Sequence, residues 1–408
     1  MESTQAGCSS NPKASAGGYC SVGDGEPATV PHDFSRILRR RWAWRAVGAA
    51  LCAPLVATAL LRSCDTTRLV SSTNMAGEAL QDKAAVAPEA FTCAKYGCLD
   101  VRSLNTCQCS QHCLQEGNCC PDYQSVCTPA AVRARLGVWP GCTPPGPLQP
   151  PPGGWAYVPL GAPLQVKVLS YNPEWWHVIE QMGGNGNSIA KVIVQGANGE
   201  PFDFIGFQEF YDPWYGLTRP GFDATQLLSQ YMFVRGEFGG PVGTIIAFHN
   251  ASWALLARGQ RYVGEDRKGP VYFGKRIALW ARFQHKQTGK TVFMMNHHGP
   301  LPTNTGGMCG SMTTALNLLH VIADNAKLGD AVIFVGDFNA NIASETVKKL
   351  SMHLHRLFQG IDNIFINLLP SSAIHPHSLP SGGSDHAAIT TLLQLPGGPG
   401  APAASQVM

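Results

Sequence analysis

The sequence predicts an α/β domain of stacked sheets and helices, preceded by a small module held together by disulfides. Three observations carry that expectation. Downstream of residue 164, short β-branched and aromatic runs recur between turn residues, as in "LQVKVLSYN", "FDFIGFQE", "GTIIAFHN" and "AVIFVGDFNAN". Among them, Met312 to Lys327 sets Leu316, Leu319, His320 and Ala323 on one helical face. Upstream, eight of the 14 cysteines crowd between Cys93 and Cys127.

Composition bounds the rest. A 44% hydrophobic chain of 408 residues can bury a substantial core, and 44 Gly with 30 Pro predict loops and linkers between folded parts. With Lys+Arg 30 against Asp+Glu 27 the net charge is only +3, unlike the strongly basic chains that bind nucleic acid broadly.

Residues 1–35 are rich in Ser, Gly and Ala and are expected to be a disordered tail. The uncharged run Ala46 to Leu61 follows, flanked by Trp42 and Trp44, so 42–62 reads as a single membrane span. Arg36, Arg39, Arg40, Arg41 and Arg45 precede it, and only Arg62 and Arg68 follow closely. The positive-inside rule then gives a type II protein with everything downstream in a lumen or outside the cell. A cleaved signal peptide, with "ATA" at Ala57 to Ala59 as the cleavage site, is the alternative and makes the protein secreted. A buried soluble helix is the third reading. Residues 63–90 form a stalk.

The cysteine block, 91–128, has too few aliphatic residues for a core, so disulfides must hold it. Zinc is the competing reading, but adjacent Cys119 and Cys120 cannot easily serve one tetrahedral site. The C-x-C step of Cys107 and Cys109, the C-x3-C step to Cys113, the adjacent pair and the final Cys127 resemble a somatomedin B domain. That resemblance implies four disulfides among Cys93, Cys98, Cys107, Cys109, Cys113, Cys119, Cys120 and Cys127, in a small extracellular knot that binds a protein partner. Residues 143–160 are a Pro-rich linker, 161–396 the large domain and 397–408 a disordered tail. Cys142 and Cys309 lie outside the knot and are free to pair with each other, and "NAS" makes Asn250 an N-glycosylation acceptor.

In the large domain the apolar runs end, one after another, on groups able to hold a cation or a phosphate. These are Asn172, Glu209, Asn296 with His298, Asp337 with Asn339, Asp362, and Asp385 with His386. Any one of them reads equally well as a turn residue or strand-end charge. Six in sequence place oxygen ligands and imidazoles on rigid elements, as a hard divalent ion requires.

In their order, "SYN", "GFQE", "NHH", "GDFNA", "IDNI" and "SDH" resemble the endonuclease/exonuclease/phosphatase superfamily with the deoxyribonuclease I-like fold. The resemblance implies a four-layer αββα sandwich and metal-dependent hydrolysis of a phosphoester with Mg²⁺ or Mn²⁺. Carried onto this sequence, it makes Glu209 the principal metal ligand, with Asn172 at the metal or phosphate. Asp337 and Asn339 orient and deprotonate the attacking water, and His298 and His386 contact the phosphoryl oxygens. Asp385 either faces the metal or supports His386, for which Asp362 is the alternative partner. Arg276 is expected to pair with an acid or to bind the substrate phosphate. Glu174 stands where some relatives carry a second metal-binding acid.

The motifs leave the phosphoester open between lipid, nucleotide and nucleic acid, and between monoester and diester. The aromatic clusters "PEWWH" and "EFYDPWYG" suit a base, an acyl chain or simple cover for the sandwich. A catalytically inactive, membrane-anchored interaction protein is the competing function, although no metal acid or phosphate histidine is lost.

Overall fold

The computed structural model describes residues 92–96, 107, 109, 113–128, 130–131, 139, 141–181, 189–210, 213–218, 225–236, 243–270 and 272–398. The expected tail (1–35), membrane span (42–62), stalk (63–90) and Cys98 lie outside these residues. No helix among the described residues is long and apolar enough to cross a membrane.

Among the described residues twelve strands form two six-stranded sheets. The first contains β1 (Leu164–Tyr171), β2 (Phe204–Phe207), β3 (Tyr231–Arg235), β4 (Ile245–His249), β11 (Ala373–Ser378) and β12 (Ile389–Leu395), ordered β11-β12-β1-β2-β4-β3. The second contains β5 (Trp253–Glu265), β6 (Lys275–His285), β7 (Thr291–His298), β8 (Asp330–Asp337), β9 (His355–Arg356) and β10 (Asp362–Ile366), ordered β5-β6-β7-β8-β10-β9. Both are mixed: β1 runs parallel to β2 and β7 parallel to β8, while their other neighbours are antiparallel.

Side chains of β7 show why these strands are apolar nearly throughout. Val292 and Met294 point between the sheets and pack with Val166, Phe204 and Phe283. Phe293 and Met295 point the other way, under the helix Ser311–Asn325 and its Leu318 and Ile322. A strand buried on both faces has no polar side to alternate with. The first sheet is covered likewise by the helix Ile189–Ala197, whose Ile189 and Ile193 pack on Leu169, Ile205 and Phe207. Helix, sheet, sheet and helix make the αββα sandwich expected of the fold class.

The cysteine block is a knot of three short helical turns, at Cys93–Tyr96, Cys113–Glu116 and Tyr123–Cys127. Cys93 pairs with Cys109, Cys107 with Cys120 and Cys113 with Cys119, and Cys127 is also disulfide-bonded. Arg258 on β5 donates to the carbonyls of Cys93 and Ala94, which seats the knot on the second sheet. Cys142 joins Cys309 and so ties the Pro-rich linker to the loop after β7.

Asn250 sits in the turn after β4, its N–H bonded to Gln230. That turn lies at the end of the sandwich away from the polar rim.

Candidate active site

Strand register assembles most of the rim. In the second sheet His298 is paired with Asp337 across β7 and β8, and Asp337 with Asp362 across β8 and β10. Three of the expected groups therefore stand in one row over three adjacent strands. In the first sheet Asn172 follows β1 and Glu209 stands two residues past β2, so both leave the sheet at the same end. The β11–β12 connection delivers His386, held by Tyr171, whose hydroxyl donates to the Ser381 carbonyl.

These groups meet around Asn172. Its Nδ2 donates to Asp337 Oδ2 at 3.2 Å and to Glu209 Oε1 at 3.4 Å, and its Oδ1 accepts the Glu174 N–H at 3.1 Å. His298 Nε2 lies 3.4 Å from Asp337 Oδ2 and 3.7 Å from Glu209 Oε1. His386 Nδ1 donates to Asp362 Oδ2 at 2.8 Å, while its Nε2 stands 3.6 Å from Asp337 Oδ2 and 3.5 Å from Asp385 Oδ1. Asn339 N–H donates to Asp337 Oδ1 at 2.9 Å, and its own side chain is fixed by donating to the Gly299 carbonyl at 3.0 Å.

Three non-glycine residues here adopt left-handed backbone: Glu174 and Glu209 at φ 45° and Asn339 at φ 45°. Such conformations cost on the order of 1 kcal/mol each and persist where the surroundings over-determine them, as at functional sites. Gly299 permits a different closeness. A Cβ there would fall 1.9 Å from the Phe338 carbonyl oxygen, so only glycine lets the segment after His298 lie against the segment after Asp337.

Burial and crowding set the charges. Burial, then the nearby Asp362 carboxylate, push the Asp337 acid up to about 6 against the opposing charge of His386. Glu209 is also raised by burial and by Asp337, although Trp176 and Asn172 donate to it. Burial lowers His298 far below its ordinary value, and the positive charges of Arg276, His297 and His386 add to that. A neutral imidazole facing two carboxylate oxygens keeps its proton on Nε2. His386 is the opposite case: burial opposes its charge, but the Asp362 hydrogen bond and the carboxylates of Asp337, Asp362 and Asp385 carry it up to about 9. It is an imidazolium at neutral pH.

A divalent cation fits this donor set. The rim holds two carboxylates, Glu209 and Asp337, that burial and a neighbouring acid make reluctant to ionise, which is the condition a hard cation relieves. Ligand atoms of Asp337, Asp362 and His386 lie within 4.8 Å of one another, but a protonated His386 already bonded to Asp362 has no lone pair to give. Glu209, 19% exposed with its oxygens turned to the rim, is the better holder.

The structure brings together Asn172, Glu209, His298, Asp337, Asn339, Asp362, Asp385 and His386, and with them Glu174, whose carboxylate accepts the Asp385 N–H. Three residues take narrower places than expected. Of the two partners open to Arg276, an acid or the substrate phosphate, it takes the acid: it is 4% exposed and bonded through Nε and Nη2 to Asp266 at 2.8 and 2.9 Å. By register it shares the face of Ala278 and His297, opposite to that of His298. Asn296, expected at the rim, is wholly buried between the sheets, accepting from Gln208 and donating to the Phe207 and Ile245 carbonyls. Asn172, expected at the metal or phosphate, stands at the rim and bridges Glu209 and Asp337 through its amide nitrogen.

Two contributors had no sequence signal of their own. Trp176 Nε1 donates to Glu209 Oε2 at 3.2 Å, so one tryptophan of "PEWWH" positions an acid. Ser384 Oγ donates to the Asn172 carbonyl at 2.7 Å and accepts the His386 N–H at 3.0 Å, joining the last strand's loop to the first strand. Its place between two glycines and an Asp-His pair was the available cue.

Residues 181–386 match the Endonuclease/Exonuclease/phosphatase family, and residues 91–130 match the Somatomedin B domain. No curated protein matches the chain. Among solved structures it is similar to a mannosyl-6-phosphatase of Bacteroides thetaiotaomicron, at 18% identity over 56% of this chain and 99% of that one, with a TM-score of 0.43. It is also similar to the human Nocturnin catalytic domain with bound sulfate, at 16% identity over 57% and 96%, TM-score 0.42. A third is D. rerio TDP2 with a single-strand DNA product, at 15% identity over 56% and 98%, TM-score 0.42.

Proposed function

Since the chain belongs to the endonuclease/exonuclease/phosphatase family, we propose that it is a metal-dependent phosphoesterase, acting on a phosphodiester, with the catalytic domain held at a membrane on its luminal or external side. The observation that carries the catalytic part is the row His298, Asp337 and Asp362, fixed by strand pairing and joined by His386 from the opposite sheet.

Glu209 would hold the cation, with Asp385 and Glu174 at the same rim, and Mg²⁺ or Mn²⁺ bound there would supply Lewis-acid polarisation of the phosphoryl group. Asp337 takes the proton from the attacking water: its acid sits near 6, within reach of operating pH, and Asn339 and Asn172 fix its two oxygens. His386 is cationic and aimed by Asp362, so it donates to a phosphoryl oxygen as negative charge develops there. Neutral His298 offers a second donor from Nε2. Asn172 sets the spacing between Glu209 and Asp337.

Two features support the membrane-side placement: the apolar run 46–61 with its preceding arginines, and a disulfide-bonded knot of the kind that persists in oxidising compartments. The knot is the site for a protein partner.

The test incubates the purified protein, with and without Mg²⁺, with DNA, RNA, sphingomyelin, inositol phosphates and bis(4-nitrophenyl) phosphate, beside Asp337→Ala. Metal-dependent turnover of one substrate that the variant loses is the expected result. Equal weak turnover by both proteins would remove Asp337 from the mechanism and leave the inactive interaction protein as the better reading.

A further inference from the structure

The catalytic end of the second sheet carries apolar surface that the chemistry leaves unused. Tyr272 and Phe273 stand exposed on the loop joining β5 to β6, Met308 and Met312 on the segment after β7, and Ile342 on the segment after β8. All three segments leave their strands at the end where His298 and Asp337 sit, because Glu265 pairs with Lys275 at the top of the β5–β6 hairpin. Phe273 is 46% and Ile342 56% exposed, in a domain that buries most of its aromatic and aliphatic side chains.

The segments form one connected edge. Asp266 accepts from the Phe273 N–H and the Leu301 N–H at 2.9 Å each, as well as from Arg276, so the hairpin tip is clamped to the chain three residues past His298. Met308 N–H donates to the Glu265 carbonyl at 2.8 Å. Asn341 N–H donates to Asn304 Oδ1 at 2.8 Å, which brings Ile342 beside the same loop. Their apolar side chains are therefore displayed on hydrogen-bonded backbone rather than on loose ends.

Charge decides what such an edge fits. Arg267 and Lys268, on the same hairpin tip, are exposed and bonded to no acid among the described residues. Two such cations beside aromatic and aliphatic side chains suit the boundary of an anionic bilayer, where Lys and Arg are drawn to the negative surface and apolar groups enter the headgroup layer. A nucleic-acid track asks for a denser row of cations; Tyr272 and Phe273 are rings a base could stack on, but two cations make no row and Met308, Met312 and Ile342 offer no flat face.

We propose that this edge docks on an anionic lipid surface, so that the phosphoester reaching the site is carried on a lipid headgroup. The docking stands by itself; the identity of the substrate rests on the phosphoesterase reading above.

Hydrogen exchange of the full chain, with phosphatidylcholine vesicles containing or lacking phosphatidylserine, tests it alongside hydrolysis of water-soluble bis(4-nitrophenyl) phosphate by the same preparations. Protection is expected over 266–275, 305–312 and 341–343, several-fold stronger with phosphatidylserine. Phe273→Ser with Met308→Ser should abolish it and Arg267→Gln with Lys268→Gln should remove its dependence on phosphatidylserine, both leaving the soluble ester turned over as in the parent. Protection confined to 36–62 overturns the docking even if the soluble ester is cleaved. Protection of the same segments by a single-stranded oligonucleotide, and not by vesicles, overturns it in favour of nucleic acid. Rim protection by vesicles without cleavage of soluble or lipid esters upholds the docking and removes the substrate with the phosphoesterase reading.

Discussion

His298 and Asp337 face each other directly across the parallel pair β7 and β8, with Nε2 and Oδ2 3.4 Å apart. Parallel register fixes both side chains at the strand ends, so the pair needs no loop to assemble it. Buried at 2% exposure, Asp337 is held near 6 while its unfolded counterpart ionises near 3.8. In the metal-free protein the folded state therefore binds the extra proton, and stability falls as pH rises from about 4 through about 6. Asp337→Asn removes that penalty and the base together. At pH 8 the variant should melt higher than the parent without metal, and its turnover should fall by about 10²–10⁴. Calorimetric melting and a phosphodiesterase assay on one preparation check both halves; a lower melting temperature contradicts the charge assignment.

His386, bonded to Asp362, titrates in the other sense. With the imidazole raised to about 9 by its carboxylate neighbours, their ionic contact stabilises the fold fully below about 6.5 and is lost as pH rises through about 9. If the imidazolium is the phosphate donor, activity should decline on the alkaline side near that same value. Asp362→Asn should bring the alkaline limb down toward neutrality and lower kcat by roughly tenfold or more. Proton-detected titration of His386 beside the pH–rate profile tests the link, which fails if the limb stays in place.

Cation affinity should depend on pH through the same acids. Glu209 is raised by burial and by the Asp337 charge, and Asp337 by burial and by the Asp362 charge, so binding a divalent ion requires protons to leave. Mg²⁺ or Mn²⁺ should bind more tightly from pH 5 to pH 7 and release protons as it does. Calorimetric titration in two buffers of different ionisation enthalpy measures the release directly. Glu209→Gln should weaken binding by about 10–100-fold, whereas Asp385→Asn, at a side chain 67% exposed, should have the smaller effect.

Much of this site is legible in the sequence because strands end where their apolar runs end. "GDFNA", "NHH" and "IDNI" mark three adjacent strand termini, and pairing does the rest. What the sequence does not show is which face a residue takes at a given register. Arg276 and His298 stand on neighbouring strands, yet opposite faces separate them, and only pairing distances of the kind Ala278 makes with His297 disclose it. Asn296 is two residues before His298 and shares its face, but one step down the strand it lies between the sheets rather than at their edge. Ser384 and Trp176 act through contacts with residues more than 30 positions away, which no local pattern encodes.

Asn296 gives the sharpest separation of scaffold from site. Its amide accepts from Gln208 Nε2 at 2.7 Å and donates to the carbonyls of Phe207 at 2.7 Å and Ile245 at 2.9 Å, tying β7 to β2 and β4 through the dry centre of the sandwich. Gly206 makes room for it, since a Cβ there would approach Asn296 Cγ at 3.3 Å and Val335 at 2.2 Å. Asn296→Ala leaves two buried carbonyls without donors, a loss of about 2–5 kcal/mol. The urea midpoint should fall accordingly, with little change in slope, while the remaining folded protein should retain kcat within a few-fold of the parent. An unchanged midpoint with abolished turnover would return Asn296 to the catalytic rim. Asn296→Asp should be worse than alanine for folding, because it turns a carboxylate oxygen toward two carbonyl oxygens at hydrogen-bond distance at a position with 0% exposure.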